Sequence, residues 1–322
     1  MGDFVRPKIF CSKCLGFSAC RWNGEIISDG FVDSLKSYVD FLTECPEEAI
    51  GLGVPRDPIR IVRGKNGYRL RQLNTGKDIT GEMKKFSKDR ILSMDEIDGF
   101  ILKDRSPSCG LKDVKVYKDL EPGSPVGKTN GFFAEEVSRV FGHLPVETEM
   151  RLTNFNLRED FLTKIFLLAK FRRLKASPGM NALVKFHSDN KLLIMAYSQK
   201  ELKALGRITA NHDRRHITDV VRDYGVHLYG ALGGVSRYTS NINVMMHASG
   251  YFSKKLSSDE KMFFLHTLEE YRREQVPLSV PVSLLRSYIV RFNEEYLMGQ
   301  SYFEPYPPVF IKVRDSGKGG RS

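Results

Sequence analysis

A single tryptophan, five cysteines and the absence of any long apolar run set the first limits on this chain. No stretch approaches the roughly 18 apolar residues of a membrane helix, so no membrane partner is expected. Residues 1–20 lack the apolar core of a secretion signal, which points to the cytoplasm. An odd cysteine count without such a signal argues against a disulfide framework and towards metal or thiol chemistry. There is no internal repeat. The tail 315–322, rich in Gly, Lys and Arg, is expected to be disordered.

What the chain does have is charge, unevenly placed. Its 322 residues carry 50 Lys+Arg against 39 Asp+Glu, a net +11, and basic chains favour polyanions. Residues 1–150 hold 23 basic and 23 acidic residues and are neutral, whereas residues 151–322 hold 27 and 16, the whole excess. All the cysteines (Cys11, Cys14, Cys20, Cys45, Cys109) lie in the neutral part, and all the histidines but one lie in the basic part. A length of 322 residues suggests two domains, one for chemistry and one for handling a polyanion.

Patterning supports that division. Residues 7–10 form a short apolar stretch leading into a Cys11-to-Cys14 loop. Phe31, Leu35, Val39 and Leu42 stand at helical spacing, which predicts a helix over 31–43 ended by Cys45-Pro46-Glu47. Strands are expected at 59–62 and 98–102, and helices at 78–94 and 131–141. This alternation implies an α/β domain, Rossmann-like, with a mostly parallel sheet. Beyond residue 157, segments 157–174, 199–212, 259–274 and 282–298 repeat apolar residues at helical spacing and imply an all-α domain, while 182–197 suits helices or a hairpin equally. The expected boundaries are 1–148, 149–314 and the tail 315–322. Gly123 to Thr129 mimics a phosphate loop but has one residue too few between its glycines, and it is discounted.

The C-x-x-C of Cys11 and Cys14 has several readings: a redox pair, half of a zinc site, an iron–sulfur cluster held with Cys109, or ordinary buried thiols. Topology favours the cluster, because both segments follow expected strands and ligands gather beyond the C-terminal ends of parallel strands. Surface solvation is the ordinary role of a carboxylate such as Glu47, and turn formation that of a serine in Ser106-Pro107-Ser108.

The motifs Cys11-x-x-Cys14-Leu15-Gly16, Cys20-Arg21-Trp22-Asn23-Gly24, Cys45-Pro46-Glu47, Gly51-Leu52-Gly53-Val54-Pro55-Arg56 and Ser106-Pro107-Ser108-Cys109-Gly110 occur in the order seen in TudS-like thiouracil desulfidases, which residues 5–145 resemble. Residues 147–309 resemble a YbgA-like helical domain through segments such as Leu205-Gly206-Arg207, Gly250-Tyr251-Phe252 and Gln300-x-Tyr302-x-x-Pro305-Tyr306-Pro307. The pairing is similar to that of desulfidases acting on 4-thiouridine in transfer RNA. The resemblance implies a [4Fe-4S] cluster held by Cys11, Cys14 and Cys109, with one iron left to take the substrate's soft sulfur without electron transfer. It implies Glu47 as a proton shuttle and Ser106 as the group that positions or supplies the attacking oxygen. Cys20 and Cys45 are then packing thiols near the cluster. Arg21 is a phosphate contact or an ion-pair member, and Trp22 a stacking or core residue.

A desulfidase of transfer RNA needs phosphate contacts. The candidates are Arg172, Arg173 and Lys175, with Lys170 beside them; Arg207, Arg214 and Arg215; Lys254 and Lys255; and Arg272 with Arg273. Each pair taken singly is equally a solvated helix face. Two alternatives remain: a desulfidase of free thiopyrimidines, and a non-enzymatic nucleic-acid-binding protein with a structural metal site.

Overall fold

A computed structural model of the protein describes residues 4–311, so the expected disorder of 315–322 concerns residues outside that range. The chain divides into two units, one running to Ala169 and taking in Phe310 onward, the other spanning Lys170–Val309.

The first unit contains β1 (Lys8–Ser12), α1 (Gly30–Leu35), β2 (Asp40–Glu44), α2 (Pro46–Ala49), β3 (Ile59–Gly64), β4 (Gly67–Gln72), α3 (Thr80–Leu92), β5 (Gly99–Leu102), β6 (Val114–Tyr117), β7 (Gly127–Thr129), α4 (Phe132–Phe141) and β8 (Val146–Thr148). One sheet has the order β2-β1-β5-β8 and every neighbouring pair is parallel. β1 and β5 are buried along almost their whole length, as strands covered on both faces are. Phe10, Phe100 and Phe133 pack their rings within 5.7 Å centre to centre around this sheet. Chain order reverses about β1, which leads first to β2 on one side and later to β5 on the other. This is the switch point beside which open α/β sheets bind ligands.

A second sheet, of order β4-β3-β6-β7, was not expected from the sequence. It mixes antiparallel β3–β4 and β6–β7 pairs with a parallel β3–β6 pair. Ile61, Leu70, Val114 and Val116 from this sheet, Ile79 and Met83 at α3, and Phe132 of α4 form its core. The overlooked signal is Asn66-Gly67 in the tight link between β3 and β4, with Gly67 at φ 104°.

The helix expected over 31–43 stops at Leu35, and Asp40–Glu44 is instead β2, paired residue for residue with β1. Val39 and Leu42 fit helical spacing by coincidence. The segment from Tyr38 to Thr43 is rich in aromatic and β-branched residues, which favour strands. Likewise Cys11 and Ser12, expected in a loop, are the last residues of β1. Cys45 does not end a helix; it precedes α2, with Pro46 at that helix's first position.

The division between units falls inside α5 (Phe155–Ala176), beyond the boundary expected at 148/149. Phe161, Leu162, Ile165 and Phe166 of α5 are buried, and Phe166 meets both Phe4 and Phe310, which belong to the same unit.

The second unit is helical: α6 (Met180–Tyr197), α7 (Gln199–Ala210), α8 (Ile217–Leu232), α9 (Tyr238–Gly250), α10 (Ser258–Arg272), α11 (Ser279–Arg291) and α12 (Glu295–Met298). The ambiguous 182–197 segment belongs to one helix, α6. The helix expected over 282–298 breaks between α11 and α12, where Asn293 adopts a left-handed φ of 50° that asparagine tolerates. Gln300 and Tyr302, from the YbgA-like motif, are buried fasteners. Gln300 donates to Ser188 O at 2.7 Å and accepts from Leu192 N at 3.1 Å, and the Tyr302 hydroxyl donates to Asn241 at 3.1 Å. No helix among the described residues is long and apolar enough to cross a membrane.

Candidate active site

Three neighbouring strands of the parallel sheet deliver the site. β2 ends at Glu44 and hands over to Cys45-Pro46-Glu47, β1 ends at Ser12 before Cys14, and β5 ends at Leu102 before the loop of Ser106, Ser108 and Cys109. Their C-terminal ends lie side by side and open into a cavity of about 630 Å3. That is within the roughly 300–1,000 Å3 usual for small-molecule sites.

Glu47 is buried and fully engaged. Arg56 donates from Nε at 2.9 Å and from Nη2 at 2.7 Å to a single carboxylate oxygen, Oε2. The other oxygen, Oε1, accepts from the Ser108 hydroxyl at 3.0 Å and faces the Ser106 hydroxyl at 3.5 Å. Arg56 is itself fixed, donating from Nη1 to Gly53 O at 3.0 Å. Burial opposes the charge of Arg56, but the adjacent carboxylate of Glu47 prevails and raises the guanidinium pKa further. Ser106 Oγ accepts from the backbone N–H of Ser108 at 3.2 Å and of Cys109 at 3.1 Å. It therefore shapes the turn, as serine does in such sequences. The same two donors also favour negative charge on that oxygen. Arg56 and Ser108 were not singled out from the sequence, although both lie inside the quoted motifs.

The loop that carries Ser106 and Cys109 is clamped from behind by the start of α4. Phe132 N donates to Pro107 O at 3.0 Å, and Phe133 N and Ala134 N to Ser108 O at 2.9 and 3.1 Å. Only glycine permits this approach: a Cβ on Gly131 would stand 2.5 Å from the Ser108 carbonyl. A Cβ on Gly110 would meet Val114 at 2.5 Å.

Four thiols line the cavity: Cys14, Cys20, Cys45 and Cys109. The sulfurs of Cys20 and Cys45 and a carboxylate oxygen of Glu48 lie within 4.8 Å of one another. Contact with Cys14, aided by burial, raises the Cys20 thiol to about 11. Contact with Cys20 raises Cys45, and burial raises Cys109. Such thiols are protonated until a metal displaces the proton. Soft sulfur donors gathered on one wall suit an iron–sulfur group or another thiophilic metal.

Cys11 lies near enough to Cys109 for the two thiols to interact. It is fully buried and does not line the cavity. It precedes Ser12, which does line it, and successive strand residues face opposite ways. Burial raises its thiol pKa, with the charges of Glu149 and Asp29 adding to the effect. Cys14 touches Cys20 and Cys20 touches Cys45, while Cys109 feels the charge of Cys45. Trp22 lines the cavity and is 46% exposed, so it is not a core residue, and Arg21 pairs with Glu25 at 2.8 Å.

In the second unit, several basic candidates are occupied. Arg215 pairs with Asp223, Arg272 and Arg273 both pair with Glu269, and Lys255 lies 3.9 Å from Glu294. Arg172 and Lys175 are half-buried, with Lys175 over the Phe171 ring. Lys170 is half-buried too, and its desolvation lowers its pKa. Arg173, Arg207, Arg214 and Lys254 are exposed, with no carboxylate partner among the described residues.

Residues 9–149 match the family described as 2-thiouracil desulfurase, and residues 191–307 match a family described as proteins of unknown function, DUF1722. The uncharacterized protein YbgA of Escherichia coli K12 is 33% identical over 171 residues, 52% of this chain and 99% of YbgA. The uncharacterized protein YbbK of Bacillus subtilis 168 is 31% identical over 109 residues, 32% of this chain and 72% of YbbK. The solved structure of TudS, described as a [4Fe-4S]-dependent thiouracil desulfidase, is 26% identical and covers 48% of this chain and 98% of its own, with a TM-score of 0.39. The chain therefore belongs to the family of YbgA and, through its first half, to that of YbbK, and its residues 9–149 are similar to the 2-thiouracil desulfurases.

Proposed function

We propose that the protein is a thiopyrimidine desulfidase that exchanges thiocarbonyl sulfur for the oxygen of water, releasing sulfide with no net electron transfer, and that its physiological substrate is 4-thiouridine in transfer RNA. The observation that carries this reading is the placement of Glu47 Oε1 against Ser106 and Ser108 in a thiol-lined cavity. A structural metal site would have no use for such an arrangement.

Cys14, Cys45 and Cys109 are the proposed ligands of a [4Fe-4S] cluster, with Cys20 adjacent. When bound, the cluster supplies a Lewis-acidic iron for the soft sulfur of the substrate. The rest is done by the chain. Arg56 holds Oε2, which leaves Oε1 to take a proton from water or from the Ser106 hydroxyl and to return it to the ring. The amides of Ser108 and Cys109 stabilise charge developing on Ser106 Oγ.

The charge excess after residue 150 supports RNA as substrate, and Arg173, Arg207, Arg214 and Lys254 are the proposed phosphate contacts. A base inside folded RNA must be flipped out to react, at a cost of a few kcal/mol. The cavity is lined entirely by residues of the first unit, which supports the second reading, desulfurisation of free thiopyrimidines. Competition separates the two. With thiolated transfer RNA and 4-thiouridine offered together, the first reading predicts a higher kcat/KM for the RNA and a steep loss of that advantage with added salt. Equal values at all salt concentrations would assign the enzyme to free thiopyrimidines.

A further inference from the structure

Most basic residues around the cavity are already neutralised. Lys13 pairs with Glu48 at 2.9 Å, Arg21 with Glu25, Arg56 with Glu47, Lys103 with Glu149, and Arg105 faces Asp104 at 3.3 Å. Arg60 and Lys115 also line the cavity and have no carboxylate partner among the described residues.

Their position follows from sheet register. Ile61 of β3 stands opposite Val116 of β6, so Arg60 and Lys115, one step earlier, are cross-strand neighbours on the face away from those two buried residues. The row continues outward, with Arg71 of β4 opposite Arg60 and Lys128 of β7 opposite Lys115. Like charges placed side by side across strands destabilise a sheet. The outer members are relieved: Arg71 donates to Gly76 O at 3.0 and 2.7 Å and its charge reaches the Asp78 carboxylate, and Lys128 pairs with Asp113. The inner two have no ion pair within 4 Å, although Lys115 feels the Asp113 carboxylate at longer range.

Arg60 is also fixed in place. Its guanidinium lies 4.1 Å from the centre of the Tyr117 ring, and Nη1 donates to Leu120 O and Glu121 O at 3.2 Å each. Nε and Nη2 have no acceptor among the described residues. A planar guanidinium held flat, with two nitrogens to spare and a lysine beside it, suits the oxygens of a phosphate.

We propose that Arg60 and Lys115 form a phosphate subsite in the wall of the cavity, which selects a thiopyrimidine carried on a nucleotide or an RNA strand over the same base without phosphate. This inference rests on the desulfidase reading and deepens it. The second sheet, in these terms, exists beside the parallel sheet to recognise the substrate's backbone.

The test uses the full-length, cluster-loaded protein under anaerobic conditions. Sulfide release is measured with 4-thiouridine, with 4-thiouridine 5′-monophosphate, and with a short oligoribonucleotide holding one internal 4-thiouridine. The quantity read is the ratio of kcat/KM for each phosphate-bearing substrate to that for the nucleoside. In R60Q/K115Q that ratio falls by about tenfold or more, equivalent to about 1.4 kcal/mol, through KM. Lys115→Gln alone leaves Arg60 stacked on Tyr117 and produces a smaller fall in the same ratio. A fall confined to the monophosphate identifies a terminal phosphate, and one confined to the oligonucleotide identifies a backbone phosphate; both support the subsite. Unchanged ratios for both substrates overturn it and leave the desulfidase reading standing. If no substrate releases sulfide, that reading fails, and calorimetry with uridine 5′-monophosphate against uridine decides the subsite alone. Tighter binding of the monophosphate that is lost in Lys115→Gln supports it, and equal affinity overturns it.

Discussion

Arg56 gives both Nε and Nη2 to one oxygen of Glu47, so the other oxygen alone faces Ser106 and Ser108. Breaking a buried ion pair from one side strands the remaining charge. Arg56→Ala should therefore lower stability by about 3–5 kcal/mol in urea unfolding of the whole chain. A loss below about 1 kcal/mol, typical of exposed pairs, would mean that Glu47 finds solvent instead. The cysteines supply a second prediction. Cys45→Ser and Cys109→Ser should each lose iron after anaerobic reconstitution, while Cys11→Ala should keep it, as measured by iron per chain and by the visible absorption of the cluster. Iron lost in Cys11→Ala and kept in Cys45→Ser would restore the trio inferred from the motifs. Sequence placed Cys14 and Cys109 in one neighbourhood because each follows an expected strand, whereas Glu47, expected at a helix end, and Ser106 came to the site only through the resemblance. Cys11 is buried in β1 and interacts with Cys109 without lining the cavity, because alternation along β1 turns neighbouring residues to opposite faces. Sequence passed over Arg56 because nothing in a single chain announces which of 50 basic residues will be buried against a carboxylate.

Elements hold the site by their ends rather than their lengths. The first turn of α4 meets the Ser108 carbonyl through Gly131, where a side chain has no room. Gly131→Ala should push the Ser106-to-Cys109 loop away from Glu47, destabilising the chain by about 1–3 kcal/mol. It should also lower iron retention relative to wild type. Wild-type stability and iron content together would show that the loop is held by something other than α4. At this scale, long amphipathic helices such as α7 and α10 were legible, because burial of one face writes a period into the sequence. Of the short strands, β1, β3 and β5 were expected and the others were not. β7 and β8 have three residues each, too few to display any period, and β2 carries apolar residues that mimic a helix. In the second sheet β3 was expected but its partners β4, β6 and β7 were not, so the Arg60–Lys115 pairing stayed out of view.

The net charge of +11 belongs to the chain after residue 150, and the thiols belong to the chain before it. The division into an α/β and a helical part was readable from composition and period. The unit boundary was not, because α5 runs through it without a break. For the molecule as a whole the account makes one central claim, that Glu47 drives exchange of sulfur for oxygen beside the thiol cluster. The direct measurement is sulfide and uridine formed from 4-thiouridine, in oxygen-18 water, by anaerobically reconstituted wild type and by Glu47→Gln of equal iron content. The account predicts equimolar sulfide and labelled uridine from the wild type, and turnover reduced by about 10²–10⁴-fold in Glu47→Gln. Full activity in Glu47→Gln, or no sulfide from the iron-loaded wild type, would contradict it.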